Sequence, residues 1–141
     1  MAETSDQLRV RLVSPERILF DTTADAVELP AKNGYMEVLY GHAPLMAELG
    51  AGDVRLHGAS DGGEQVYNVS WGFVEVLPDR VTILANDALK PEEIDVQRAQ
   101  QQRDRGEKEW MEAGESEEKY ADALRRISEA EAKLATAQEK H

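Results

Sequence analysis

The sequence predicts an α+β chain, with an N-terminal antiparallel β-sandwich over residues 1–87 and a C-terminal antiparallel two-helix hairpin over residues 88–141. Short alternations of apolar and polar residues, separated by turn residues at about ten-residue spacing, fill the first part and are typical of sandwiches and barrels. Beyond Pro91 no proline occurs, and Glu, Ala, Gln, Arg and Lys dominate. These residues favour helices, so the boundary is expected near residues 86–91.

The strands are predicted from side chains that alternate between two faces. Leu8, Val10 and Leu12 alternate with arginines, which puts them on one face of a first strand. The Asn33-Gly34 pair is a signal for a tight hairpin between two strands. Further strands are predicted over residues 54–56, 65–77 and 81–85.

Two helices follow, the first expected to open at Pro91 with acidic residues in its first turn, where the helix dipole favours them. A break is predicted at residues 113–116. The second helix carries an apolar seam spaced 3, 4, 3, 4, 3, formed by Tyr120, Ala123, Ile127, Ala130, Leu134 and Ala137. The matching face of the first helix is Ala99, Gly106 and Ala113.

Such a hairpin is expected to be weakly held. Alanine and glycine bury little apolar area at roughly 25 cal/mol per Å2, so the two helices gain little from packing together. Helices that pack marginally can separate and change position. The alternative is an ordinary hairpin that always rests on the sandwich.

Composition excludes several classes of function. The chain has 28 acidic and 16 basic residues, a net charge of −12, which argues against nucleic acid and anionic lipid as direct partners. Without cysteine, it has no disulfide, thiolate zinc site or cysteine nucleophile. No apolar run approaches the roughly 20 residues that span a bilayer, and the first seven residues are not typical of a signal peptide. A soluble protein is expected.

Motifs for catalysis are absent from the sequence. There is no phosphate-binding loop, and His42, His57 and His141 lack the spacing of metal ligands. His42 lies in a Gly-His-Ala-Pro segment, where it either completes a turn or stands exposed to meet a partner. The sequence therefore predicts no catalytic residue and no metal.

One polar group of residues stands out on the first helix. Asp95, Arg98, Gln102 and Arg105 are separated by three, four and three residues, which keeps them on one face. Two guanidinium groups there can hold a phosphate chain, and Arg125 and Arg126 of the second helix can add to them. The alternative, which the spacing alone favours, is ordinary ion pairing on a solvated helix.

Five blocks of residues in this order resemble the epsilon-subunit family of the rotary, proton-translocating ATP synthase. They are Val-Ser-Pro-Glu-Arg at 13–17, Gly-His-Ala-Pro-Leu at 41–45, Gly-Phe-Val-Glu-Val at 72–76, Val-Thr-Ile-Leu-Ala at 81–85 and Ile-Asp-Val-Gln-Arg-Ala at 94–99. The resemblance implies a flattened sandwich of about ten strands in a non-catalytic central-stalk subunit. Its partners would be the gamma subunit, the c ring and the catalytic alpha and beta subunits. Where the family commonly has glycine before Gly72, this chain has Trp71.

The resemblance also implies roles for the helices and for individual residues. The helices would either fold against the sandwich or extend along gamma and inhibit ATP hydrolysis. Contacts with gamma or the c ring would fall on Tyr35, His42 and Pro44, and contacts with the catalytic subunits on Arg125 and Arg126. The Ile-Asp-x-x-Arg-Ala block matches a motif that binds regulatory ATP in some bacterial members. That site would comprise Asp95, Arg98, Ala99, Arg105 and Arg126, with no other cofactor required.

The mitochondrial delta subunit belongs to the same family, but no transit segment rich in Arg and Ser precedes Leu8. The expected location is therefore the cytoplasmic face of a bacterial inner membrane. There the chain would be a peripheral part of the machinery for ATP synthesis and hydrogen ion transport, without inserting into the bilayer. The alternative is a soluble nucleotide sensor or adaptor with the same layout, and an enzyme acting alone comes last. Co-purification with gamma separates the first two.

Overall fold

The structure is a computed structural model that describes residues 7–139 and divides between Leu89 and Lys90 into two compact units. The first unit consists of strands β1 (Leu8–Val13), β2 (Ile18–Ala24), β3 (Ala26–Ala31), β4 (Gly34–Leu39), β5 (Leu45–Ala59), β6 (Gly63–Leu77) and β7 (Arg80–Leu89). The second unit consists of a 3-10 turn (Pro91–Glu93) and helices α1 (Val96–Met111) and α2 (Glu117–Glu139).

The seven strands form a sheet in the order β2-β1-β7-β6-β5-β3-β4. Every described pair is antiparallel except β1 and β7, which run parallel. The sheet folds into two layers, because the rings of Phe20 on β2 and Tyr67 on β6 lie 4.9 Å apart although two strands separate β2 from β6 in the sheet. The predicted sandwich is confirmed, with one parallel pair that alternation alone did not reveal.

The core between the layers is aliphatic. Leu8, Val10 and Leu12 are fully buried, as their alternation predicted. Side chains from the other six strands join them, so the sandwich has a hydrophobic core of its own.

Two strands of 15 residues each replace several shorter ones. β6 changes direction at Trp71 and Gly72, whose φ angles are 60° and 130°. A Cβ on Gly72 would collide with the carbonyl of Leu84, so glycine is needed there. Trp71 occupies the left-handed region that favours glycine, a strained conformation for a bulky residue. Because β6 bends without ending, the described residues form seven strands and not about ten.

The helical unit begins differently from the prediction. Pro91 opens a 3-10 turn, which is closed by a backbone hydrogen bond from Glu93 N to Lys90 O of 2.9 Å and capped by one from Lys90 N to Glu93 Oε1 of 2.8 Å. Asp95 then adopts an extended conformation, and its Oδ1 accepts from Arg98 N at 3.0 Å, which caps α1. The prediction that Pro91 opens this α-helix was therefore wrong, because the side-chain cap at Asp95 sets the start of α1.

The two helices are antiparallel, and their seam largely matches the prediction. The small residues Ala99, Gly106 and Ala113 are buried, as are Ala123, Ile127 and Ala130 of the second helix. Tyr120 is instead exposed and lies edge-on to Trp110, with ring centroids 6.4 Å apart. Thr136 is buried in addition, and its hydroxyl is satisfied there by donating to Ala132 O within the helix.

Candidate functional site

A cationic cleft lies between α1 and α2. Its volume is about 420 Å3, and its lining is Arg98, Gln101, Gln102, Arg105 and Arg126. Helical spacing places the four residues of α1 on one face, and the antiparallel packing brings Arg126 of α2 opposite them. The structure thus gathers three arginines that the sequence had singled out.

The three arginines of this cleft differ in whether an acidic side chain pairs with them. Arg98 and Arg105 are exposed, and neither guanidinium forms an ion pair within residues 7–139. Arg126 is paired with Glu109 through Nη1 and Oε1. Unpaired guanidinium groups present several fixed donors, which suit the oxygens of a phosphate chain.

Gln102 ties the two helices together at the cleft. Its Nε2 donates to the backbone carbonyl of Arg126 at 3.3 Å and to Glu129 Oε1 at 3.5 Å. Gln102 therefore links α1, which carries Arg98 and Arg105, to α2, which carries Arg126.

The other residues predicted for this site lie outside the lining. Asp95 uses its carboxylate as the helix cap, and Ala99 is buried in the seam. Arg125 is exposed on α2, next to Arg126, without lining the cleft. Sequence reasoning missed Gln101 and Glu109, although each lies one helical turn from an arginine of the group.

Tyr35, His42 and Pro44 lie on β4 and the loop that follows it. The Tyr35 side chain is exposed, and its hydroxyl accepts from Asp53 N at 2.8 Å. His42 Nδ1 donates to Ala43 O at 2.7 Å, while Pro44 is exposed. At about 3.3 Å per residue, β4 separates Tyr35 from the other two, so the three do not form one cluster.

An outward-facing group of apolar residues on the sandwich, the outer stripe, consists of Val13, Met46, Phe73 and Leu84. Strand pairing places Leu84 between Val13 and Phe73, and Met46 lies opposite Glu75, two residues along β6 from Phe73. Met46, Phe73 and Leu84 are 67%, 55% and 52% exposed. Sequence reasoning missed this stripe. The signal that could have revealed it is the presence of large apolar residues at strand positions where the alternation predicts side chains that face solvent. Contiguous exposed apolar residues mark a docking surface.

His57 on β5 holds two neighbouring strands through carboxylates. Its Nδ1 lies 2.6 Å from Glu64 Oε1, and its Nε2 lies 3.2 Å from Glu28 Oε1. Both ring nitrogens can donate only when the imidazole is protonated. The hydrogen bond to Glu64, assisted by that to Glu28, therefore raises the pKa of His57 above its usual value, although burial opposes the shift.

A pH-dependent stability follows from this pair of contacts. Because the folded pKa is raised, the stabilisation is complete below the unfolded pKa of about 6.5 and is lost as pH rises through the folded pKa. We expect a loss of about 1 kcal/mol or less, since the groups are partly solvated. Thermal unfolding followed by circular dichroism on both sides of this range measures it. His57→Gln should remove this dependence and His42→Gln should retain it; equal slopes in both variants would contradict the assignment.

No helix within residues 7–139 is long and apolar enough to span a bilayer. In the same stretch, no three histidine, aspartate or glutamate side chains are gathered as metal ligands.

Comparison with known proteins gives consistent matches. Residues 7–103 match the family model described as "ATP synthase, Delta/Epsilon chain, beta-sandwich domain". The chain is 39% identical to the ATP synthase epsilon chain of Solibacter usitatus, over 96% of this chain and 98% of that one. It is 41% identical to the epsilon chain of Koribacter versatilis, over 78% and 76% of the two chains.

Solved structures share the fold. A chain of the Euglena gracilis mitochondrial ATP synthase, OSCP/F1/c-ring, matches with a TM-score of 0.77 and 20% identity, over 95% of this chain and 83% of that one. A chain of the Tetrahymena thermophila mitochondrial ATP synthase, central stalk/c-ring, matches with a TM-score of 0.66 and 16% identity, over 92% and 96%.

Proposed function

The chain belongs to the ATP synthase delta/epsilon chain family, and on that basis we propose that it is a non-catalytic central-stalk subunit of the proton-translocating ATP synthase. In this role it couples rotation of the c ring to gamma and to the catalytic subunits. The observation that carries the proposal is the outer stripe on a sandwich with its own core. An exposed apolar surface on a rigid sandwich suits a subunit that transmits torque through a docked partner.

The outer stripe is the surface proposed to dock on gamma. Tyr35 and Pro44, which are exposed, and the half-buried His42 are proposed to meet gamma or the c ring elsewhere on the sandwich. The matched chains belong to complexes described as OSCP/F1/c-ring and as central stalk/c-ring, which supports these partners. The complex would lie at the cytoplasmic face of a bacterial inner membrane, with this chain as a peripheral component that does not insert.

The helical unit is proposed to regulate the complex by inhibiting ATP hydrolysis. Its seam consists mainly of alanine and glycine, so separating the helices costs little buried apolar area. Arg125 and Arg126 of α2 would meet acidic groups of the catalytic subunits when the hairpin extends. The balance between a resting and an extended state of such a unit shifts toward whichever state a ligand binds more tightly.

Removal of residues 90–141 tests this division of roles. The remaining sandwich keeps its core, so we expect co-purification with gamma to match that of the full chain. ATP hydrolysis by the reconstituted complex should rise when the helices are absent, and a coupled-enzyme assay measures it. Loss of assembly on truncation would contradict the proposal. A full chain that forms no stable complex with gamma would favour the soluble nucleotide sensor.

A second proposed function is the binding of regulatory ATP by the cationic cleft. The observation that favours it is the pair of exposed arginines, Arg98 and Arg105, opposite Arg126 across a cleft of about 420 Å3. A phosphate chain there would contact both helices and stabilise the folded hairpin. The ATP would act as a ligand and not as a substrate.

ATP should therefore raise the melting temperature of the helical unit. Ligand at 100 times its Kd stabilises by about 2.7 kcal/mol, which a thermal shift assay detects. Changing both Arg98 and Arg105 to Gln should abolish the shift. Lys108→Gln, which removes a positive charge from α1 outside the cleft, should retain it. No shift for the unaltered chain at millimolar ATP would remove this second function.

A further inference from the structure

Arg126 lies where two clefts meet, the second of which is lined by both acidic and basic side chains. One is the cationic cleft. The other has a volume of about 340 Å3, and its lining is Glu109, Glu112, Lys119, Asp122 and Arg126. Arg126 is common to both linings, so its guanidinium has access to an anion in the first cleft and to carboxylates of the second.

The carboxylate that holds Arg126 comes from the opposite helix. Glu109 of α1 pairs with Arg126 of α2, and the two side chains are 41% and 42% exposed. Glu109 is also one turn beyond Arg105, a spacing that permits a pair within α1, yet its ion pair crosses to α2. This pair therefore links the helices and engages part of the guanidinium that a phosphate in the cationic cleft would need.

We infer that Glu109 competes with a bound phosphate chain for Arg126 and so determines how tightly the cationic cleft binds it. The inference rests on the proposed binding of phosphate in that cleft and adds its regulation. A phosphate chain first meets Arg98 and Arg105, whose guanidinium groups have no ion pair within the described residues. It engages Arg126 only by displacing Glu109.

Displacement is feasible because a partly solvated ion pair is weak. A phosphate chain carries several negative charges and can accept bidentate hydrogen bonds, so it competes well for a guanidinium. The exchange replaces a direct link between α1 and α2 by a link through phosphate. The need for this displacement lowers the affinity for phosphate while Glu109 is present.

The test is calorimetric titration of the full chain with inorganic tripolyphosphate and, separately, with ATP. Glu109→Gln should bind both probes about fivefold more tightly, the scale expected for loss of a surface ion pair. Glu107→Gln is the matched control, because it removes the same charge from an exposed position of α1 outside both clefts. We expect its affinity to stay within about twofold of the unaltered chain.

The gain must depend on Arg126. In an Arg126→Gln background, Glu109→Gln should behave like Glu107→Gln, because the competition no longer exists. Glu109→Ala, which favours helix, should reproduce the gain if the glutamine variant loses helical circular dichroism. Equal effects of the Glu109 and Glu107 variants, or a gain that persists without Arg126, would overturn the inference.

The outcomes separate this inference from the function on which it rests. If Glu109→Gln gained affinity for ATP but not for tripolyphosphate, the inference would also be overturned, since the competition concerns phosphate alone. Binding of the probes by the unaltered chain with no gain in Glu109→Gln removes only the role of Glu109. Absence of binding in both chains removes the phosphate site itself.

Discussion

Replacing both Phe73 and Leu84 with aspartate is expected to weaken binding of the chain to gamma by about 100-fold or more. The two side chains lie directly opposite each other on β6 and β7 and form the middle of the outer stripe. Aspartate there removes apolar contact area and places two unpaired charges in the proposed interface, where desolvation is costly. Surface plasmon resonance with immobilised gamma measures the loss.

The control for this variant adds a charge away from the stripe. Ser60 follows the last residue of β5, whereas Met46 of the outer stripe lies at the start of that strand. The Ser60 hydroxyl is 2.8 Å from Thr23 Oγ1. In Ser60→Asp a carboxylate can still accept from that threonine, so binding to gamma should be nearly unchanged. Melting temperatures of all variants check that the sandwich remains folded. Undiminished binding by the Phe73 and Leu84 variant would show that gamma docks on another surface.

Replacing Gly106 with valine is expected to separate the helices and to strengthen inhibition of ATP hydrolysis. A Cβ at Gly106 would lie 2.8 Å from Ile127 Cγ1, so a larger side chain pushes α2 away from α1. Overpacking costs about 1–3 kcal/mol, which shifts the balance between folded and separated helices by about 5-fold to 150-fold. Loss of the edge contact between Trp110 and Tyr120 should change tryptophan fluorescence.

This change and the truncation should act in opposite directions on ATP hydrolysis. Separated helices remain available to inhibit, whereas a truncated chain has none. Gln97→Val provides the control, because it introduces the same β-branched residue at an exposed position of α1. A Gly106→Val chain that keeps its fluorescence and leaves hydrolysis unchanged would refute the idea of a hairpin held by close packing.

Local periodicity was sufficient to predict most of the architecture. Leu8, Val10 and Leu12 alternate and are buried together, because a strand alternates its side chains between two faces. Ala99, Gly106 and Ala113 recur every seven residues and line the helix seam for the equivalent reason in a helix. Where α1 begins was less predictable, because a proline signal and an aspartate cap compete within five residues.

The candidate site was predictable only on the helix where its residues are close in sequence. Arg98 and Arg105 could be placed on one face from their spacing. Arg126 lies on another helix, so whether it joins them depends on how α1 packs against α2. Its pairing with Glu109 depends on the same packing, and no local pattern identifies it.

By itself the sequence determined the two-part organisation, the faces of the strands and the helical seam, since these depend on the period of neighbouring side chains. Only the tertiary structure decided that β1 lies parallel to β7, that the outer stripe is continuous and that Glu109 holds Arg126. The physical reason is that a side-chain pattern specifies which face an element buries. Its partner is chosen by long-range packing of the whole core, which no single segment encodes.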